Sequence, residues 1–264
     1  MNVCRIEGGD GQPITSLEDW REVGAPAGGD RHWVDSRSAK ELAKAWLSGD
    51  AASRVIALLS LWPELAGLRL NRAIAEKKTA FDDIPRGPRN HDLLVIGETA
   101  AEPLVIGVEG KADEPFDRKL GEWQAAALAR TPNSEAPRRL ERLTKLFFDT
   151  TLSEDSGDPP LARLGYQLVS ALAGTLADAK AVGAARAVLL VQEFCTELTD
   201  PNKQHENQAA FDAFIQRLAR ADLSRKASGD GWVTAAVEVS GDGEFLPDLT
   251  RVHLAKLTTD VAAT

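Results

Sequence analysis

The sequence predicts an α/β protein: one mixed β-sheet flanked by helices, in one compact domain with additions at both ends. Three observations carry that prediction. Two β-rich apolar runs, residues 91–97 (HDLLVIG) and 103–113 (PLVIGVEGKAD), are joined by ETAAE, a length that suits an antiparallel hairpin. A long helical segment, residues 161–182, leads through Gly183 into the apolar run ARAVLLVQEF (185–194), as in a crossover onto a sheet covered on both faces. The other elements mix helical and strand periodicity without any internal repeat.

Taken in order, residues 1–35 are rich in Gly, Pro and Asp and read as mostly irregular, with a short helix at SLEDWRE. Ser36 or Ser38 is placed to cap a helix through SAKELAKAWLSG, with Gly49 near its end. AASRVIALLSLW sets Val55, Leu58, Leu59 and Trp62 at helical spacing, and LAGLRLNRAIAEKK reads as a resumption of helix after Pro63. TAFDDI is a short strand ahead of the turn former PRGPRN, and the hairpin follows. Pro115 stops its second run. FDRKLGEWQAAALAR and APRRLERLTKLFFD read as helices, and SEDSGDPP as a polar loop. In residues 161–182 the side chains Leu161, Leu164, Leu168, Leu172, Leu176 and Ala179 fall on one stripe. The tail adds a helix near QAAFDAFIQRLAR and two strands, WVTAAVEVS and LTRVHLAKL, flanking GDGEF.

Composition narrows the function classes. The chain of 264 residues is 43% hydrophobic and 27% charged, ordinary for a globular protein. No apolar run approaches the ~20 residues of a membrane span, and MNVCRIEGGDGQ lacks the features of a signal peptide. The expected location is therefore the cytoplasm. Cys4 and Cys195 are too few for a disulfide framework or a structural zinc site, and Cys195 reads as a buried thiol. The net charge of −9 weighs against nucleic acid as a partner, since phosphate binding favours a basic balance. The charge is uneven, however: residues 130–145 and 217–226 are each locally basic, and Arg86 and Arg89 flank the hairpin. His32, His205 and His253 have no ligand-like spacing. Neither a phosphate-binding glycine loop nor a nucleophile elbow is present.

The chemistry concentrates in the second hairpin strand. Acid-x-Lys occurs four times, but only Glu109-Gly110-Lys111 grows out of an apolar β run. Residues two apart in a strand share a face, so Glu109 and Lys111 point the same way. Burying either charge alone is costly, which leaves two explanations: an ion pair emerging at the surface, or a functional site. Asp92, at the edge of the neighbouring strand, would add a second carboxylate. Two carboxylates and an amine suit a hard cation such as Mg²⁺, which prefers oxygen ligands and keeps several waters. Lys111 would then orient an attacking water or help deprotonate it, and offset developing charge.

Asp92 followed by Glu109-Gly110-Lys111 resembles the PD-(D/E)XK nuclease superfamily. The resemblance covers roughly residues 51–195, with 1–50 as an N-terminal extension and 196–264 as a C-terminal helix and strand pair on that core. It implies a restriction-endonuclease-like mixed central sheet. It also implies Mg²⁺ or Mn²⁺ held by Asp92 and Glu109, the Gly110 carbonyl as a further ligand, and Lys111 as the catalytic lysine. Family members often place a Glu on the leading helix near the metal, and Glu76 or Glu64 would fill that place. Gln167 in GYQLVSAL would be the polar residue that some members carry on the helix after the motif strands. His91 stands where the family pattern has Pro, and reads as a structural residue or a phosphate contact. Arg86, Arg89, Arg138, Arg139 and Arg142 would track a nucleic-acid backbone. The expected function is thus Mg²⁺-dependent hydrolysis of phosphodiesters, DNA foremost, in bacterial defence or repair, by a chain that the family precedent allows to be a homodimer. Two alternatives stand beside it: a nuclease-fold binding or regulatory module without chemistry, and a metal-dependent phosphohydrolase of small nucleotides.

Overall fold

The structure is a computed structural model that describes residues 4–26 and 29–261. The predicted helices form as α1 (Leu17–Val23), α2 (Ser38–Leu47), α3 (Asp50–Leu59), α4 (Leu120–Arg130), α5 (Ala136–Phe148), α6 (Tyr166–Ala181) and α7 (Pro201–Ala219). Ser16 caps α1 through a reciprocal bond pair with Asp19. Neither predicted serine caps α2: its N-cap is Arg37, with no side-chain capping bond. Gly49 enters α3 at φ 81°, a left-handed conformation that glycine adopts without strain.

The strands are β1 (Arg5–Gly8), β2 (Arg69–Thr79), β3 (Arg89–Glu98), β4 (Pro103–Lys111), β5 (Arg186–Cys195), β6 (Arg225–Ser228), β7 (Gly231–Thr234), β8 (Val237–Ser240) and β9 (Leu249–Asp260). All nine share one mixed sheet in the order β1-β2-β3-β4-β5-β9-β7-β6, with β8 also on β9. β2, β3 and β4 pair antiparallel, and β4–β5 and β5–β9 pair parallel. One apolar cluster joins α1, α2 and α3 to one sheet face, and a second joins α4 to α7 to the other. The arrangement is therefore a three-layer α/β architecture. Among the described residues no helix is long and apolar enough to cross a membrane.

Four expectations change. Residues 65–78 do not continue the helix; most of them form β2. Its ladder to β3 shifts register between Leu70 and Arg72, and the centre of the strand is covered on both faces, so no period-two pattern survives to be read. TAFDDI is not a strand of its own, since only Thr79, the last residue of β2, belongs to one. Helix α6 is not striped: every residue from Leu168 to Ala179 is buried, because the sheet lies on one side and other elements enclose the rest. Leu161 and Leu164 lie before the helix, around a short 3-10 turn. Finally, Arg5–Gly8, read as irregular, is a strand. It extends the sheet beside β2, while β9 pairs with β5 inside the sheet.

The approach of α6 to the hairpin depends on Gly107. A Cβ there would sit 2.0 Å from the Thr175 hydroxyl, so only glycine lets the helix rest on β4 at this level. That contact sets the height of the first turn of α6 relative to the end of β4, where the charged residues are.

Candidate active site

Glu109 and Lys111 share the α6-facing side at the end of β4, as period-two geometry requires. They do not emerge at the surface. Glu109 is 0% exposed and Lys111 5% exposed, and the Lys111 Nζ is 3.2 Å from Glu109 Oε1. Gln167, the second residue of α6, clamps both: its amide nitrogen donates to Glu109 Oε1, and its Oε1 accepts from Lys111 Nζ at 2.8 Å. Arg89, at the start of β3, donates to the other oxygen of Glu109. Burial alone would raise the pKa of Glu109, but Arg89 and Lys111 outweigh it and hold the carboxyl below its usual range.

Beside this neutralised group stand two carboxylates without a cation of their own. Asp92 on β3 accepts from the Gly110 N–H at 2.8 Å. Desolvation, then the charge of Glu109, pushes its pKa up to about 7. Glu76 on β2 accepts from the Asn90 amide. Burial and the charge of Asp92 push Glu76 up to about 8. Glu76 has φ 50°, an unfavourable region for a residue with a Cβ, which concentrates strain where side chains must be re-aimed. Re-aiming is what it does. Before it, Ala75 and its partner Leu93 belong to the α2/α3 side. Past it, Thr79 donates to Asp178 of α6 at 2.6 Å, and His91 lies against Gly174 of the same helix.

Gly174 makes that packing possible. A Cβ there would meet His91 Nε2 at 2.6 Å and the Arg89 side chain at 2.7 Å. Gly174→Ala is expected to destabilise the fold by about 1–3 kcal/mol through overpacking. Urea denaturation checks this, and an unchanged midpoint would contradict it.

Glu76, Asn90, Asp92, Glu109, Gly110, Lys111 and Gln167 line one cleft of about 330 Å³. Its lining also includes His32, Ser38 and Glu114, none of which the sequence marked out as site residues. Glu114 is held by the Ala112 N–H at 2.8 Å and the Ser38 hydroxyl at 3.2 Å, which tie α2 to the end of β4. Glu76 rather than Glu64 occupies the cleft, and it does so from a strand rather than a helix. Glu64 lies instead 3.9 Å from His253, whose buried ring donates from Nδ1 to the Thr234 carbonyl.

The expected nucleic-acid contacts divide. Arg86 is exposed. Arg89 and His91 are buried, at 8% and 1% exposure, so Arg89 serves Glu109 and His91 packs under α6. Arg139 is also internal: it holds Asp82 through two bonds of 2.6 and 2.8 Å and the Gly87 carbonyl at 2.7 Å, pinning the PRGPRN turn to α5. Arg138 pairs with Asp83 and Glu135, and Arg142 with Asp242. The local positive charge of residues 130–145 is thus largely cancelled by acids distant in sequence.

Three carboxylates face two cations here, Glu76, Asp92 and Glu109 against Arg89 and Lys111. The Asn90 Oδ1 is buried with no hydrogen-bond partner, an acceptor beside the uncompensated acids. An oxygen-preferring divalent ion fits that donor set. Among the described residues no three His, Cys, Asp or Glu side chains are gathered into a ready cage, so such an ion would keep water for most of its ligands.

No curated protein and no solved structure matches the chain. A family match covers residues 13–240, and so takes in the hairpin, the cleft and α6. The chain belongs to that family, described as a domain of unknown function, DUF6946.

Proposed function

We propose that the cleft hydrolyses phosphodiester bonds with a divalent cation, and that the substrate is nucleic acid, DNA foremost. The observation that supports this most is the pairing of the buried Glu109–Lys111–Gln167 cluster with two unneutralised carboxylates in one open cleft. The order α3-β2-β3-β4-α4-α5-α6-β5, with β2-β3-β4 antiparallel and β5 parallel to β4, supports the resemblance to a restriction-endonuclease-like core, with α4 and α5 as additional helices before the crossover.

Asp92 and Glu76 would hold the ion, with Glu109 and Gly110 beside it, and a bound Mg²⁺ or Mn²⁺ would stabilise phosphoryl charge and acidify a water. Lys111 would orient the attacking water. An ammonium has three N–H donors; Glu109 and Gln167 take two, which leaves one for a water or a phosphoryl oxygen. Its contacts make it a donor, so its part is orientation and charge neutralisation rather than proton abstraction. Arg89 and Gln167 keep Glu109 and Lys111 in place before substrate arrives, so little reorganisation remains for the reaction.

A second reading, a nuclease-fold module that binds without cleaving, is favoured by one observation. Both Glu109 oxygens are already engaged, by Arg89 on one side and by Gln167 and Lys111 on the other.

Incubation with supercoiled plasmid, linear duplex, single-stranded DNA, RNA and nucleoside triphosphates, in Mg²⁺, Mn²⁺, Ca²⁺ or EDTA, separates the readings. Cleavage of a polynucleotide in Mg²⁺ or Mn²⁺ alone supports the proposal. A folded protein that acts on none of them supports the silent module, and action on the triphosphates alone supports a nucleotide phosphohydrolase.

Metal binding has its own readout. Mn²⁺ is expected to raise the melting temperature of the wild-type protein by several degrees, since a ligand that binds only the native state stabilises it. Glu76→Gln combined with Asp92→Asn is expected to melt higher than wild type in EDTA, because like charges are removed, and to show no rise with Mn²⁺. A wild-type protein that Mn²⁺ leaves unmoved would remove the metal from the account.

A further inference from the structure

We infer that a groove leading out of the catalytic cleft is a subsite for a single-stranded nucleotide segment, with one unpaired base stacked on Trp123. The identity of the ligand rests on the phosphodiesterase reading; the groove itself does not.

The cleft does not end at Gln167. Asn90, Asp117 and Gln167 also line a neighbouring hollow of about 370 Å³. Gly87, Trp123 and Arg139 in turn connect that hollow to an outer one of about 620 Å³. Together they make one path from Glu109 and Lys111 to the exposed loop at Arg86.

Trp123 stands at the junction of the two hollows. It is half-buried, and one face of its indole stacks on Tyr166 with centroids 3.9 Å apart and planes 15° from parallel. Tyr166 precedes Gln167 at the start of α6, so the aromatic pair is tied directly to the residue that clamps Glu109 and Lys111. A rigid aromatic platform beside a phosphate-handling site is what an unstacked base uses, and it serves any base because every base has a π-face. Among the described residues the Trp123 indole N–H has no partner, which leaves a donor at the platform edge.

The outer hollow supplies charge. Arg86 and Arg130 line it, both are exposed, and among the described residues neither is in an ion pair. That separates them from Arg138, Arg139 and Arg142, whose charges are spent on Asp83, Asp82 and Asp242. Glu135 also borders the hollow but is held by Arg138 at 2.6 Å. The free positive charge of this face therefore lies at the far end of the groove, where a strand anchored at the cleft would run. A paired base is stacked within its duplex and cannot reach Trp123, so the occupant is single-stranded.

The test is anisotropy of a labelled short oligothymidylate, and of an abasic oligonucleotide of equal length, in EDTA so that cleavage plays no part. Wild-type protein is expected to prefer the oligothymidylate. Trp123→Leu keeps bulk but no π-face and should lose that preference, on the order of tenfold in affinity. Trp123→Phe should retain most of it, which shows that the loss is not unfolding. Replacing Arg86 and Arg130 together by alanine should weaken both ligands alike and flatten the salt dependence. Equal binding of the two oligonucleotides by wild type, or undiminished preference in Trp123→Leu, would overturn the subsite. Base-selective binding by a protein that cuts nothing would keep the subsite and remove the phosphodiesterase reading. Metal-dependent cutting without base selectivity would do the reverse.

Discussion

Lys111→Ala is expected to lower the rate of metal-dependent cleavage by a factor of about 10² or more, the scale set by groups that steer protons and charge in a transition state. Substrate affinity measured in EDTA should hardly change, because the role proposed for Lys111 is at the reacting phosphate rather than along the strand. The fold should survive as well: Glu109 keeps Arg89 and Gln167 as donors, so no bare carboxylate is left in the interior. Lys111→Arg should not rescue activity, because a planar guanidinium cannot reproduce a compact ammonium held by two acceptors at 2.8 and 3.2 Å. Single-turnover cleavage with matched circular dichroism reads all of this. A Lys111→Ala protein that cuts at the wild-type rate would contradict the role given to the lysine.

Arg89→Ala is expected to act through stability. Arg89 and Glu109 are buried together, and without Arg89 the Glu109 carboxylate keeps Lys111 and Gln167 on Oε1 but loses the donor to Oε2, at a cost of about 1–3 kcal/mol. That is a sizeable part of the ~5–15 kcal/mol that holds a typical domain folded. Adding Glu109→Gln to Arg89→Ala should recover part of it, since the under-compensated charge is then gone. Urea denaturation of the single and double variants gives the coupling directly. Near-additive losses would show that Arg89 does not serve Glu109 in the way described.

The parts of this molecule that were legible in the sequence are those set by local pattern. The hairpin could be read because its two apolar runs and the loop between them are contiguous. Strand β5 could be read because both of its faces are covered and its centre, Ala187 to Val191, is apolar without interruption. Glu109 and Lys111 were legible as a pair because a strand's period of two is fixed by backbone geometry. Gln167 came from the resemblance alone, and the structure places its amide between them.

What escaped depends on distant partners or on broken periodicity. β2 was hidden by its register shift, and Glu76 then appeared to belong to a helix. β1 and β6 are four residues each, too short to announce a period. The place of β9 inside the sheet is decided by pairing with β5, some 65 residues earlier (Arg186 with Arg251), which no window along the chain contains. The partners of the arginines were out of reach for the same reason. Arg138 and Arg139 read as free charge until the structure sets Asp83 and Asp82 against them, and Arg142 until it sets Asp242 there. Arg89 looked like a phosphate contact because nothing in its neighbourhood in the chain shows Glu109 waiting on the next strand. Arg86 and Arg130, by contrast, keep their charge free among the described residues, and only the connected hollows reveal that they share a groove with Trp123.

The most direct measurement is a time course of supercoiled plasmid and single-stranded DNA with wild-type protein and Asp92→Asn, in Mg²⁺ and in EDTA. The account predicts cleavage by the wild-type protein in Mg²⁺ alone and none by the variant, which keeps its fold because the substituted amide still accepts from the Gly110 N–H. Cleavage that persists in EDTA, or that survives Asp92→Asn undiminished, would contradict it.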